Sequence, residues 1–140
     1  MSRAVLFFTL LLAAMLSRAA EQHAPPDADR IRIYEVAVRH FIEARPVPHT
    51  ATLWVAVNAR PAPQELLDRF AGEAPTVRAS PCDPKVRHEY VCGILDGTIV
   101  SHEAYISVHG TPDHGAHFYH FKKQGRDWLL LEDAAGYVDQ

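Results

Sequence analysis

Residues 116–133, AHFYHFKKQGRDWLLLED, decide the fold because they contain two strand-like runs joined by a short turn. Residues 116–123 contain the aromatic residues that strands favour, and a second apolar run follows in residues 126–133. Gln124 and Gly125 between them predict a two-residue turn, so the two runs are expected to pair as a closing antiparallel hairpin. Such a sheet must bury one face, which requires a covering helix elsewhere in the chain.

The preceding strand indicates which face is buried. Residues 111–114, TPDH, predict a turn between strands near 103–109 and 116–123. If Gly110 pairs with Gly115, strand alternation and pairing place a coherent apolar set on one face. That set comprises Ala104, Ile106, Val108, His117, Tyr119 and Phe121, with Trp128 and Leu130 added by the last strand.

The covering helix is predicted near the N-terminus, where apolar residues recur at helical spacing between Ile31 and Ile42 and Pro46 ends the pattern. Downstream, the patterns predict a strand over residues 51–59, a short helix within 60–73, a brief strand over 75–80, and a hairpin turn at Asp96-Gly97. This order predicts an α+β fold in which an N-terminal helix packs on a curved antiparallel sheet.

The order of elements, together with FYHFKKQGRDWLLLED at residues 118–133, resembles small exported bacterial proteins of the NTF2-like and cystatin-like folds, most of them uncharacterised. The resemblance covers most of residues 27–133, and no catalytic motif carries it. It implies a roll in which the sheet wraps the helix, a fold that can hold a pocket. Such folds host isomerases, dehydratases, inhibitors and binding modules alike, so the resemblance does not select an activity.

The first 19 residues predict a signal peptide, followed by a single domain over residues 20–140. Arg3 precedes an apolar run from Ala4 to Leu16, and the small residues Ser17 and Ala19 fit a cleavage site. An uncleaved membrane anchor is the alternative, but thirteen residues make a helix of about 20 Å against a hydrocarbon core of about 30 Å. We therefore expect an exported protein, periplasmic or secreted, without membrane association after cleavage.

The net charge limits the class of binding partner, and the cysteine content indicates whether a disulfide is expected. The formal net charge is −3, which argues against nucleic-acid binding, because that would require a basic face. Cys82 and Cys92 are the only cysteines, and an oxidising compartment favours a disulfide between them. Two separate buried thiols and a redox pair are the alternatives.

Four of the nine histidines lie within residues 109–120, HGTPDHGAHFYH, and raise the question of a metal site. The candidate ligands are His109, His114 and His117, for Zn²⁺ or Cu²⁺. Strand alternation excludes His120 from a site shared with His117. In the register favoured by the apolar pattern His109 also faces away from His117, so we expect these to be surface and strand-edge histidines. A register shifted by one residue would instead bring the three candidate ligands close together. A pH-responsive surface is a third alternative.

No complete catalytic template occurs: the chain has no Gly-rich phosphate loop, H-E-x-x-H or C-x-x-C. The pocket candidates are Tyr34, Tyr119 and Trp128, with His117 or Glu132 as possible bases. The leading hypothesis is an exported binding or interaction module without catalysis or cofactor, its partner an unknown small molecule or protein. Its best surfaces are the exposed sheet face and the concavity beneath the helix. The alternatives are an NTF2-like isomerase or dehydratase acting on a small apolar molecule, and a periplasmic zinc- or copper-binding protein.

Overall fold

The computed structural model describes residues 28–111 and 115–136. Within them, helix α1 spans Ala28–Ala44 and a short helix α2 spans Gln64–Asp68. The strands are β1 Thr52–Val57, β2 Arg60–Pro61, β3 Thr76–Ala79, β4 Val91–Ile99, β5 Glu103–Thr111, β6 Ala116–Gln124 and β7 Asp127–Gly136. The predicted α+β class with an N-terminal helix is confirmed.

The strands of the described residues form one large open sheet in the order β2-β1-β4-β5-β6-β7, with β3 also paired to β1. β1 runs parallel to both β3 and β4, whereas β4 to β7 form an antiparallel meander. The sheet is therefore mixed, and the prediction of a purely antiparallel sheet is wrong. The chain between β1 and β3 contains α2, and a crossover of this kind brings the next strand back in the same direction.

Helix α1 covers one face of the sheet, here called the inner face; the opposite face is the outer face. Phe41 from α1 packs close to Gly110 of β5, where a Cβ atom would lie 2.7 Å from the Phe41 ring. The register is the one that the apolar pattern predicts, because Val108 pairs with His117 and Ile106 with Tyr119. The inner face is buried through Leu53, Val55, Ile94, Ala104, Ile106, Val108, Tyr119, Phe121 and Trp128.

The predicted hairpin turn at Asp96-Gly97 is wrong, because both residues lie inside β4. Pairing with β5 shifts between Asp96 and Ile99, so two residues of β4 oppose the single residue Tyr105. This is a β-bulge, which shares its preference for glycine with tight turns. A Cβ atom on Gly97 would lie 2.5 Å from the carbonyl oxygen of Tyr105, so the bulge requires glycine there.

The predicted disulfide is also wrong: Cys82 and Cys92 are not bonded. Val55 of β1 pairs with Ala79 of β3 on one side and with Cys92 of β4 on the other. Ala79 and Cys92 are thus two strand spacings apart, roughly 9.6 Å. Cys82, three residues beyond Ala79, is exposed, whereas Cys92 is buried. Burial raises the pKa of the Cys92 thiol to about 12, which makes it unreactive.

The predicted signal peptide lies outside the described residues, and export stays a prediction. No helix in residues 28–111 and 115–136 is long and apolar enough to cross a membrane.

Candidate functional site

The outer face carries most of the exposed large apolar side chains of the described residues. Strand pairing places Leu95, Ser107, Phe118 and Ala134 in one cross-strand row, and Tyr105, His120 and Glu132 in the next. Of the seven exposed large apolar residues described, five belong to this face: Leu95, Tyr105, Phe118, Leu129 and Leu131. Their concentration on one side makes this face the candidate site, because single exposed apolar residues are normally scattered.

A concavity of about 300 Å³ lies between these side chains. The Phe118 side chain lies on one side of the concavity and is 53% exposed. Tyr105 and His120 form another wall, since their rings stack at 4.3 Å with an angle of 9° between the planes. Ser107 and Ala134, which also line the concavity, are small, and they leave the space open between the aromatic rings. The volume is at the lower end of the range for small-molecule sites.

Carboxylates dominate the charge around this concavity. Glu103 Oε2 accepts a 3.4 Å hydrogen bond from the Tyr105 hydroxyl, and Glu103 Oε1 lies 3.7 Å from His120 Nε2. Glu132 lines the concavity and makes no salt bridge within the described part of the chain. Partial desolvation raises the pKa of Tyr105, and the negative charges of Glu103 and Glu132 raise it further. The aromatic wall therefore lies in a negative potential.

Asp96, at the bulge of β4, is a second carboxylate of the lining, but its hydrogen-bonding capacity is already occupied. Arg30 Nη1 and the Tyr34 hydroxyl each donate to it at 2.8 Å, and Asn58 Nδ2 donates at 3.0 Å. Burial, followed by the hydrogen bond to Asp96, raises the pKa of Tyr34 to about 12. This network ties α1 to the bulge and fixes one end of the concavity.

The three predicted pocket residues have different surroundings. Tyr34 is buried in the core with its hydroxyl bound to Asp96, and Trp128 is buried with its indole N–H donating to Asp29 at 3.3 Å. Neither lines the outer concavity. Tyr119 contributes to its lining, although its side chain is 2% exposed and belongs to the inner face.

A separate polar cluster, here called the rim cluster, lies where α1 meets β6 and β7 and consists of His40, His117 and Asp133. His117 Nδ1 is 2.7 Å from Asp133 Oδ1, and His40 Nε2 is 3.0 Å from Asp133 Oδ2. Partial burial raises the pKa of Asp133, but the hydrogen bonds to the two imidazoles lower it more, so the net shift is downward. A bulge places Asp133 here: β6 pairs His120 with Glu132 but Phe121 with Leu130, so Leu131 is the extra residue that turns Asp133 to the inner face.

The structure does not bring the predicted metal ligands His109 and His117 together. His117 lies on the inner face, whereas the His109 ring lies on the outer face against Gly93, where a Cβ atom would approach within 2.7 Å of its Nε2. His114 lies outside the described residues. No cluster of three His, Cys, Asp or Glu side chains in residues 28–111 and 115–136 has the geometry of a metal site. In the rim cluster, each imidazole contacts a different oxygen of Asp133. Metal binding that involves His114 stays a prediction.

Sequence reasoning missed His40 and Asp133, and it named the exposed sheet face as a candidate surface without locating the concavity on it. The alternation of Tyr105, Phe118, Leu129 and Leu131 on the outward side of their strands was a usable signal for the concavity. No sequence signal gives the bulge at Leu131 that positions Asp133. Comparison with protein-family models, curated proteins and solved structures found no match. The function is therefore argued from these surfaces alone.

Proposed function

We propose that this protein is a small exported binding module without a catalytic role, and that its outer face binds a small apolar molecule. The observation that carries the proposal is the concavity of about 300 Å³ beside Phe118 and the Tyr105–His120 stack. A ligand there would cover apolar side chains that the fold leaves exposed. Covering about 100 Å² of such surface contributes about 2.5 kcal/mol, which corresponds to weak binding with a dissociation constant of roughly 15 mM.

The enzyme alternative has less support. An NTF2-like active site needs a cavity between helix and sheet, with a base beside a tyrosine. In that region the side chains of Phe41, Tyr119 and Phe121 are buried and fill the space. His117, which we considered as a base, is engaged by Asp133 at the rim. Export is supported by the N-terminal sequence pattern.

The test is a titration of the ¹⁵N-labelled protein with 2-phenylethanol, a neutral probe that fits the concavity. The expected result is a saturable shift of amide signals in residues 105–107, 118–120 and 132–134. Phe118→Ala should weaken binding about tenfold, because it removes the largest apolar contact. Val86→Ala is the control: Val86 is also exposed, at 44%, but lies in the segment before β4.

Two results would overturn the proposal. One is the absence of saturable shifts at probe concentrations up to roughly 100 mM, several times the dissociation constant that the contact area implies; the other is a set of shifts centred elsewhere and insensitive to Phe118→Ala. Concentration-dependent self-association through the outer face, measured by analytical ultracentrifugation, would identify a second copy of the chain as the occupant and would also contradict a small-molecule site.

A further inference from the structure

We propose that the outer-face concavity selects small organic cations, an aromatic or alkyl body bearing an ammonium group, over neutral and anionic molecules of the same shape. This inference rests on the proposed function, because it specifies which ligand the outer face binds. Three features of the concavity support it: its aromatic rings, a carboxylate for which the described residues supply no counter-ion, and its size.

The aromatic rings supply the first element of recognition. Phe118 is 53% exposed and Tyr105 45% exposed, so both rings are accessible to a ligand. A cation within about 6 Å of such a ring is attracted by the negative potential of its face. Neutral molecules gain only the apolar contact with the same rings.

The carboxylates supply the second element. Glu132 has no cationic partner within the described residues, so its charge is available to a ligand, whereas Arg30 and hydrogen-bond donors already compensate Asp96. Glu103 adds negative charge beside Tyr105. No lysine or arginine is among the described lining residues, and the one imidazole of the lining, His120, lies 3.7 Å from the Glu103 carboxylate. An anionic ligand would therefore be repelled, and an ammonium group would find both a carboxylate acceptor and aromatic faces.

The volume sets the size of the ligand. About 300 Å³ corresponds to roughly ten water molecules at about 30 Å³ each. A molecule of about ten non-hydrogen atoms, one ring with a two-carbon amine chain, occupies a similar volume. The 2-phenylethylammonium ion has this composition, with an ammonium group in place of the hydroxyl of 2-phenylethanol.

The experiment measures dissociation constants by NMR titration at pH 7 and low ionic strength for three probes: 2-phenylethylammonium, 2-phenylethanol and 3-phenylpropionate. The ammonium ion should bind about three- to tenfold more tightly than the alcohol, and the carboxylate more weakly than either. Glu132→Gln should reduce the preference for the ammonium ion to about twofold and leave binding of the alcohol unchanged. Glu65→Gln removes an exposed carboxylate on α2 and is the matched control, with no effect expected on any probe.

The outcomes separate the two proposals. Equal binding of the ammonium ion and the alcohol at the outer face, or an ammonium preference that Glu132→Gln does not reduce, would overturn the cation inference and keep the binding module. If no probe binds at the outer face, both fail. Should Glu132→Gln lose the native amide spectrum, Glu103→Gln gives the same comparison, with a reduced ammonium preference expected and an unchanged preference contradicting the inference.

Discussion

Asp133→Ala tests whether the rim cluster holds α1 against the last two strands. The Asp133 carboxylate contacts His117 at 2.7 Å and His40 at 3.0 Å, and its side chain is 25% exposed. Hydrogen bonds to charged groups contribute about 1.5–3 kcal/mol when buried, and exposed pairs about 0–1 kcal/mol. At this intermediate exposure we assign about 1 kcal/mol to each contact, and so about 2 kcal/mol to the loss of both.

The assay is urea unfolding at pH 7, followed by circular dichroism. The expected result is a lower midpoint with an unchanged dependence on urea, because the same surface is exposed on unfolding. The matched control is Asp127→Ala on the same strand. Asp127 is 71% exposed and meets Arg32 only at 3.4 Å, so its removal should cost less than about 0.5 kcal/mol. A loss below about 0.5 kcal/mol for Asp133→Ala would refute the assigned role of the cluster.

Three further outcomes follow from the structure. Because the pKa of Asp133 is lowered in the folded state, its ionised form stabilises the fold above the reference pKa of 3.8, and this contribution is lost as the pH falls through the lower folded value. The stability difference between the wild type and Asp133→Asn should therefore shrink as the pH falls below about 4, and a difference that grows over that acidic range would contradict this sign. Gly110→Ala should destabilise the fold by about 2–3 kcal/mol in urea unfolding, because its Cβ atom would overlap the carbonyl oxygen of Val91 in β4 and would lie 2.7 Å from the Phe41 ring; an unchanged midpoint would refute this close approach. A thiol reagent should modify Cys82 quickly in the native protein and Cys92 only after unfolding, since Cys92 is fully buried; a disulfide found by mass spectrometry would contradict the presence of two free thiols.

The sequence pattern predicted the register of the closing strands because the alternation of Ile106, Val108, Tyr119 and Phe121 permits one apolar face only. A slip of one residue would have exposed this set. The same alternation correctly separated His117 from His109. Pairing between strands that are distant in sequence could not be predicted in this way. Nothing in residues 51–80 indicates that β1 runs parallel to both β3 and β4.

The two bulges account for the errors and omissions that concern the site. At Asp96-Gly97 the glycine signal for a turn and for a bulge is the same, and the tertiary network of Arg30, Tyr34 and Asn58 decides between them. At Leu131 a single inserted residue moves each later side chain of β7 to the opposite face of the sheet. Simple alternation therefore assigns Asp133 to the wrong face. The disulfide prediction failed because the rule that oxidising compartments favour disulfides contains no information about where two cysteines lie in the fold.

The outer face of the sheet is the proposed binding surface, and an amide-shift map of the ¹⁵N-labelled protein, titrated with 2-phenylethylammonium to saturation, tests it. We predict shifts confined to the concavity around Tyr105, Phe118, His120 and Glu132, and a roughly tenfold higher probe concentration for half of the shift in Phe118→Ala but not in Val86→Ala. Shifts centred on the inner rim at His40, His117 and Asp133, or no saturable shifts at all, would contradict it.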